Sequence, residues 1–146
     1  WAMTGWRMGW ITAPRALIGD IEKLIELNTS CVPVFVQRAG LAALRLGEPF
    51  IEEQRTRLAV GRRVVAETLG AHPSVEMPVL DATFYAFPRL SVDDDLAFVL
   101  RAIEEAGVGL APGRAFGDGG RGHIRLCYAR DEDVLRAACT RVAALL

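Results

Sequence analysis

The spacing of hydrophobic residues changes near Gly70, and this change restricts the fold more than any other feature of the sequence. Before Gly70, apolar residues recur at the three- and four-residue intervals of amphipathic helices. After it, short segments alternate between apolar and polar residues as strands do, with helical stripes between them. The pattern predicts an α/β fold that is helix-rich, with a small, mostly antiparallel sheet covered by helices, and a domain boundary near residue 46.

The first part of the chain predicts three helices. An apolar stripe over residues 17–25 follows Pro14, a residue that suits the first turn of a helix. A second helix is predicted over residues 34–46, and the longest one over about residues 48–69. Residues 5–12, which are rich in Trp, Met and Ile, are predicted to form a buried strand or the end of one.

The second part predicts alternating strands and helices. Ser91 with Asp94 resembles a capping box, which would start a helix that ends at Gly107. Asp131 and its acidic neighbours favour the start of a last helix, because its first turn carries a partial positive charge. Strands are predicted over residues 75–77, 83–87, 108–111 and 123–128.

Composition excludes several classes of protein. The 146 residues are 51% hydrophobic and 24% charged, an apolar balance that predicts a buried interface with another domain or subunit. A net charge of -1 gives no support for nucleic-acid binding. No apolar run is long enough for a membrane span, and no signal-peptide pattern occurs. Three cysteines without a paired spacing and two isolated histidines predict reduced cytosolic thiols and no metal site.

Arg125 is the residue of the predicted sheet whose chemistry is hardest to explain as packing. Because it lies between Ile124 and Leu126, burial would be costly without an anionic partner. That partner is either a ligand or an Asp or Glu of the chain itself. Alternation predicts Ile124, Leu126 and Tyr128 on one face of the strand, and His123, Arg125 and Cys127 on the other.

Lys23 is the only lysine among 17 basic residues. Any reaction that requires a lysine amine within this chain therefore has this residue alone to use. Lys23 follows Glu22 and precedes Glu26 on the polar side of the first predicted helix, so we predict a solvated surface cation.

Four segments carry a resemblance to a known family. Residues 3–10, Met-Thr-Gly-Trp-Arg-Met-Gly-Trp, are similar to the run Ser-Lys-x-aromatic-Ala-Met-Thr-Gly-Trp-Arg of class I/II aminotransferases, the aspartate aminotransferase-like, fold type I enzymes that depend on pyridoxal phosphate. Residues 111–117 and 123–129 resemble the Pro-Gly-x-x-Phe-Gly loop and the late strand of that family. Residues 82–88 resemble its Gly-x-Phe-Tyr-x-Phe segment. The resemblance spans essentially the whole chain, but only about the last two fifths of a family member.

The resemblance implies that this chain is the C-terminal portion of a fold type I transferase. Residues 1–46 would be the tail of the large cofactor-binding domain, and residues 47–146 the small C-terminal domain. Arg7 would hold the phosphate of pyridoxal phosphate, Arg125 would bind the substrate α-carboxylate, and Phe84 would line the substrate pocket. The two guanidinium groups would converge on opposite anionic ends of a coenzyme–substrate adduct.

The same resemblance places the Schiff-base lysine just upstream of residue 1, so no catalytic residue is assigned within this chain. The full-length protein would transfer an amino group between an amino acid and a 2-oxo acid, and the chain alone would be inactive. The family further implies a homodimer in the cytoplasm, in which residues 28–30 approach the neighbouring active site.

Two positions depart from the family pattern, and two other functions stay open. Ala82 replaces a usual glycine, and Arg114 occupies a loop position that is often small or acidic, where a cation would alter substrate choice. Another reaction of pyridoxal phosphate on the same scaffold, such as β-elimination or decarboxylation, is one alternative. A truncated, non-catalytic unit that binds a protein partner is the other.

Overall fold

A computed structural model describes residues 1–146, and the chain divides into two compact units, residues 1–54 and 55–146. The junction lies inside a long helix, whereas the sequence predicts a domain boundary near residue 46. The helices are α1 (Arg15–Thr29), α2 (Val34–Leu46), α3 (Glu48–Glu67), α4 (Asp95–Ala106) and α5 (Glu132–Ala143). The assignment of residues 1–46 and 47–146 to two domains of a larger protein stays a prediction.

The first unit contains α1, α2 and the start of α3, as the apolar stripes predict. Both α1 and α2 begin directly after a proline, Pro14 and Pro33, whose fixed φ of -54° and -53° suits the entry into a helix. Helix α2 ends where Gly47 donates its backbone N–H to the Ala43 carbonyl oxygen at 2.8 Å. Val36 and Gly40 are the buried residues of α2, and Gly40 packs against the Met8 side chain.

The prediction of a buried strand over residues 5–12 is wrong. Thr4–Trp6 form a short 3-10 helix, Arg7 has a left-handed φ of 53°, and the residues up to Pro14 form no regular element. Trp6 and Trp10 are exposed. A strand needs a hydrogen-bonded neighbour, and the remainder of this unit is helical, so no edge is present for these residues to pair with.

Helix α1 carries its apolar stripe on an uncovered surface. None of its residues is buried: Ile18 and Ile21 of the stripe are half-buried, and Leu17 and Leu24 are 52% and 65% exposed. An amphipathic helix normally packs such a stripe against a core. The exposed stripe fits the expectation of an apolar surface that faces another domain or subunit.

The second unit is built on short antiparallel strands. Strand β5 (Ile124–Cys127) lies between β2 (Tyr85–Ala86) and β4 (Ala111–Pro112), and β1 (Val75–Glu76) pairs with β3 (Arg89–Leu90). All three pairings are antiparallel. The predicted helix-rich α/β fold with a small antiparallel sheet is therefore confirmed.

Helices α3, α4 and α5 cover one face of this sheet. Ile124, Leu126 and Tyr128 are buried on that face, as the alternation predicts. They belong to one core cluster with residues of all three helices, among them Val64, Val65, Phe98, Val99, Leu135, Cys139 and Val142. Strand β5 is thus held by the core on one side, and its other side is free to carry polar chemistry.

Helix α4 begins three residues later than the predicted capping box implies. Asp94, and not Ser91, is its N-cap, since the Asp94 carboxylate accepts hydrogen bonds from the backbone N–H groups of Leu96 and Ala97 at 2.9 and 3.0 Å. A cap must directly precede the first turn to reach these donors. The helix ends as predicted at Gly107, which has a left-handed φ of 63°.

Gly61 of α3 packs closely against Tyr128, the residue that follows β5. A Cβ at this position would collide with the Tyr128 carbonyl oxygen. We expect Gly61→Ala to lower the free energy of unfolding by about 1–3 kcal/mol, because overpacking outweighs the better helix propensity of alanine. Urea titration followed by circular dichroism measures the change.

The matched control is Gly19→Ala in α1, where a Cβ meets nothing within 4 Å. This variant should be neutral or gain up to about 1 kcal/mol from helix propensity. A Gly61→Ala variant as stable as the unaltered chain would contradict the close packing of α3.

Candidate functional site

Arg125 lies on the face of β5 opposite the core, between two aromatic rings. Its guanidinium carbon is 4.4 Å from the centre of the Tyr85 ring and 4.5 Å from that of the Phe116 ring. The side chain is half-buried, and it makes neither an ion pair with a carboxylate nor a hydrogen bond within the chain. The alternative that an internal Asp or Glu neutralises Arg125 is therefore wrong.

The N–H donors of the Arg125 guanidinium remain available to a ligand. Both rings lie within cation–π distance of the guanidinium carbon, and the N–H donors of the group lie along the edges of its plane. A carboxylate can accept two parallel hydrogen bonds from such an edge. The arrangement is suited to bind a planar anion and to hold it in one orientation.

Further aromatic contacts surround this pair of rings. Phe116 meets Phe87 edge-on, with the ring centres 5.6 Å apart, and Phe87 stacks on His123 at 5.1 Å. Such pairs contribute about 0.5–1.5 kcal/mol each beyond the area that they bury. The outer face of the sheet therefore presents a connected aromatic surface with Arg125 in it.

Phe84 precedes β2 and lies beside the same surface. Its ring centre is 4.5 Å from that of Tyr85, so Tyr85 contacts both Phe84 and Arg125. Phe84 also packs against the core, and it lines a cavity of about 480 Å³ together with Arg62, Thr83 and other residues. Tyr85 thus contacts both Arg125 and Phe84, whereas the cavity that Phe84 lines includes neither Arg125 nor Tyr85.

Arg7 belongs to the first unit, and its side chain is exposed. One guanidinium nitrogen donates to the Thr4 carbonyl oxygen at 3.0 Å, and the group makes no ion pair with a carboxylate. Its remaining donors are free to meet an anion such as a phosphate. The predicted convergence of Arg7 and Arg125 on one ligand stays a prediction, because the two residues lie in different units.

Lys23 is the exposed cation that the sequence predicts. Its ammonium lies 3.6 Å from the Asp20 carboxylate, with the Lys23 side chain 77% exposed. A lysine that reacts as an amine lies in a desolvated site or beside another cation, whereas Lys23 is exposed and paired with an aspartate. The residues present therefore fit the holding of a phosphate and not covalent attachment of a cofactor.

Arg114 is paired with two carboxylates of this chain, and the expectation that it alters substrate choice stays a prediction. Its guanidinium Nε donates to the Asp95 carboxylate at 2.8 Å, and a terminal nitrogen donates to the Asp94 carboxylate. Its backbone N–H donates to the second Asp95 oxygen, also at 2.8 Å. The Arg114 guanidinium is paired with the two carboxylates at the N-terminus of α4. This pairing anchors the loop that contains Arg114.

Asp95 is the one charged residue among the buried polar groups, with 1% of its surface exposed. Burial by itself raises the pKa of its carboxyl. The hydrogen bonds from the Arg114 backbone and guanidinium outweigh this effect, so the pKa lies below its usual value of 3.8. Asp95 is therefore ionised in the folded protein and holds Arg114 in place.

Three residues of this site were not assigned from the sequence. Tyr85 and Phe116 belong to the segments that resemble the family, and the alternation of β2 was the signal that could have placed Tyr85 beside Arg125. Asp95 offered no signal, since an aspartate in the first turn of a helix is ordinary on an exposed surface.

Other chemistry is not organised in the structure. No group of three His, Cys, Asp or Glu side chains lies close enough together to hold a metal ion. Cys31 is exposed, Cys127 half-buried and Cys139 buried, and none forms a disulfide. None of the helices has both the length and the apolar composition needed to cross a membrane.

Comparison with known proteins gives a consistent family. The family model for aminotransferases of class I and II matches residues 1–142. An aspartate aminotransferase of Pyrococcus horikoshii is 34% identical over 145 residues, which are 97% of this chain and 37% of that protein. An arginine–pyruvate transaminase of Pseudomonas aeruginosa is 33% identical and is covered to the same extents. The chain therefore spans less than two fifths of the length of these curated relatives.

Solved structures agree with the sequence comparison. An aromatic aminotransferase from Pyrococcus horikoshii has a TM-score of 0.87 and 31% identity to this chain, covering 99% of it and 39% of that structure's chain. An aminotransferase from Mycobacterium tuberculosis has the same TM-score at 28% identity, with coverages of 99% and 38%. The predicted fold type I assignment is thereby confirmed.

The Asp95–Arg114 pair should make stability depend on pH in acid. Because the folded-state pKa of Asp95 is lowered, its contribution is complete above the unfolded value near 3.8 and is lost as pH falls through the folded value. Asp95→Asn should lower the free energy of unfolding by about 1–3 kcal/mol at pH 7, and by clearly less at pH 3. Urea titrations at both pH values measure this difference.

Asp118→Asn is the control for this effect, because Asp118 pairs with Arg121 on the surface with its side chain 98% exposed. Little change is expected there at either pH. An Asp95→Asn deficit of equal size at pH 7 and pH 3 would show that the lost charge is not its cause.

Proposed function

Because this chain belongs to the class I and II aminotransferases, we propose that the protein containing it transfers an amino group between an amino acid and a 2-oxo acid with pyridoxal phosphate as cofactor. The chain would be its C-terminal portion. Residues 1–46 would end the large cofactor-binding domain, and residues 47–146 would form the small domain. The lysine that carries the cofactor would precede residue 1, so the chain alone would be inactive.

The observation that carries this proposal is the state of Arg125. An arginine that is half-buried, stacked between two rings and without an acidic partner has an unmet demand for an anion. The α-carboxylate is common to all amino acids and 2-oxo acids, and its two oxygens match the free edge of the guanidinium. Arg125 would bind this carboxylate and so orient the substrate for reaction.

Pyridoxal phosphate, when bound, supplies the electron sink for reactions at the α-carbon. Within this chain, Arg7 is the residue that fits its phosphate, because the guanidinium is exposed and has no acidic partner. The Arg7 side chain would donate hydrogen bonds to phosphate oxygens and balance their charge. Lys23 would take no part, since it is exposed and paired with Asp20.

Phe84 would line the pocket for the substrate side chain. Its contact with Tyr85 places an apolar ring beside the residue that supports Arg125. A substrate held by its carboxylate at Arg125 would then have aromatic surface next to its α-carbon. This supports amino acids as the substrate class without selecting one among them.

The same family membership supports a homodimer in the cytoplasm as the working form. Residues 28–30, at the end of α1, would approach the active site of the neighbouring subunit. The exposed stripe of α1 is in keeping with a buried position in the complete protein.

That exposed stripe also favours the second candidate, a non-catalytic unit that binds a protein partner through α1. A different reaction of pyridoxal phosphate, β-elimination or decarboxylation, is the nearer alternative, because the cofactor supplies the chemistry and the fold does not fix its outcome. The codons before Trp1 separate the candidates: a Ser-Lys pair ending two residues before Trp1 supports the enzyme, and a start codon there supports the binding unit.

Replacement of Arg125 in the complete protein tests the proposed function. Arg125→Gln should lower kcat/KM for amino acids about 100-fold, since about 3 kcal/mol of carboxylate binding is lost. Arg125→Lys should recover part of the loss, because the charge remains and the paired donors do not. An amine substrate without a carboxylate should react equally well with both variants.

Arg141→Gln, at an exposed arginine in the last turn of α5, is the matched control and should leave kcat/KM unchanged. Turnover of amino acids by Arg125→Gln at the rate of the unaltered protein would remove the basis of the proposal. Absence of any amino-group transfer by the complete protein would do the same.

Replacement of Arg7 tests the cofactor site. Arg7→Gln should weaken the binding of pyridoxal phosphate by about 10- to 100-fold, because one or more charge-assisted hydrogen bonds to phosphate are lost. Binding of pyridoxal, which lacks the phosphate, should change little. Absorbance titrations of the complete protein measure both affinities, with Arg15→Gln as the control for an exposed arginine of the same unit.

A further inference from the structure

We propose that the Asp95–Arg114 ion pair is a positioning device for Arg125, acting through Phe116, and that it thereby sets the affinity for the substrate carboxylate. This inference rests on the proposed function of Arg125. It concerns residues that neither touch a substrate nor belong to the segment that carries the carboxylate-binding arginine.

The anchor is built from three hydrogen bonds onto one loop. Asp95 accepts from both the backbone and the side chain of Arg114, each at 2.8 Å, and Asp94 accepts from the far end of the same guanidinium. Asp94 is in turn fixed as the N-cap of α4. The loop is therefore tied, at Arg114, to the start of a helix that packs into the core.

Phe116 lies two residues after this anchor, in the same short 3-10 helix, Gly113–Phe116. The turn is closed by Gly117, whose backbone N–H donates to the Arg114 carbonyl oxygen at 3.3 Å. It is held at its start by Gly113, whose N–H donates to the His123 carbonyl oxygen at 2.8 Å. A displacement of Arg114 would consequently move Phe116.

The two rings that flank Arg125 are restrained by different means. Tyr85 is held by the ladder between β2 and β5, in which it pairs with Cys127. The Phe116 ring is 48% exposed, so burial does little to restrain it. Its position depends on the edge contact with Phe87 and on the loop that Arg114 anchors. Of the two walls around the guanidinium, Phe116 is therefore the one that the ion pair controls.

The ion pair also explains why a cation is tolerated in this loop. Arg114 would repel Arg125 if its charge were free, and it would compete for the same carboxylate. Asp94 and Asp95 both accept hydrogen bonds from it, so its charge is balanced. The loop can then lie beside Arg125 and leave the substrate anion to that residue alone.

The test uses the complete protein with pyridoxal phosphate, and compares Arg114→Gln and Asp95→Asn with the unaltered enzyme. Both variants should raise KM for the amino acid about tenfold, while kcat changes less than about twofold, because carboxylate binding is weakened equally in the ground state and the transition state. KM for an amine without a carboxylate should stay unchanged. A purely structural role would lower stability and affect both substrates alike.

A double-mutant cycle identifies the route through Phe116. Phe116→Leu removes an exposed ring, so folding should be retained even if Asp95→Asn fails to fold. It should raise KM for the amino acid as Arg114→Gln does, whereas Phe116→Tyr should restore it. In the Phe116→Leu background, addition of Arg114→Gln should change KM less than about twofold, since both act on the same contact.

Independent, multiplicative effects of the two substitutions would overturn the inference, as would an unchanged KM for Phe116→Leu. Arg63→Gln, which breaks the exposed pair with Glu67 on α3, is the matched control and should leave both kinetic constants unaltered. Failure of this inference is distinct from failure of the proposed function. If only this inference fails, the unaltered protein still transfers amino groups and the Arg125→Gln variant is still less active. If the proposed function fails, the unaltered protein transfers no amino groups.

Discussion

The stacking of the Arg125 guanidinium between Tyr85 and Phe116 is the interaction on which the site depends. An arginine that makes two cation–π contacts and no ion pair with a carboxylate keeps its charge and its planar set of donors for an anion. Each ring comes from a different element, Tyr85 from β2 and Phe116 from the loop after β4. Strand β5 must therefore lie in the middle of the sheet for the arrangement to exist.

The alternation of side chains along β5 places apolar residues on one face of the strand and Arg125 on the other. Ile124 and Leu126 bury their side chains against the helices, at about 1.5–3 kcal/mol for each fully buried side chain, and so hold the strand. Arg125 lies between them and faces the other way. The same residues that make the core therefore aim the arginine, and the ion pair of Asp95 with Arg114 supports the second ring from outside the sheet.

The sequence predictions failed where local pattern depends on a distant partner. The residues around Trp6 read as a buried strand because they are apolar, yet a strand forms only beside another strand. Ser91 and Asp94 matched the spacing of a capping box, but Asp94 reaches the first free N–H groups of α4 and Ser91 does not. The apolar stripe of α1 is a second example of this limit on prediction from sequence. Amphipathic periodicity predicts the helix, but it does not predict what covers the apolar face of that helix.

Sequence alone determined the helices and the arginine that is the candidate anion site. The period of the apolar residues predicted the five helices and the alternation of β5, and the isolation of Arg125 among apolar neighbours predicted its need for an anion. Only the tertiary structure decided which side chains contact Arg125. Tyr85 and Phe116 are 40 and 9 positions away from Arg125, and Arg114 is bound by Asp95, 19 positions away. Such contacts arise from strand pairing and core packing, which bring together residues that no local pattern relates.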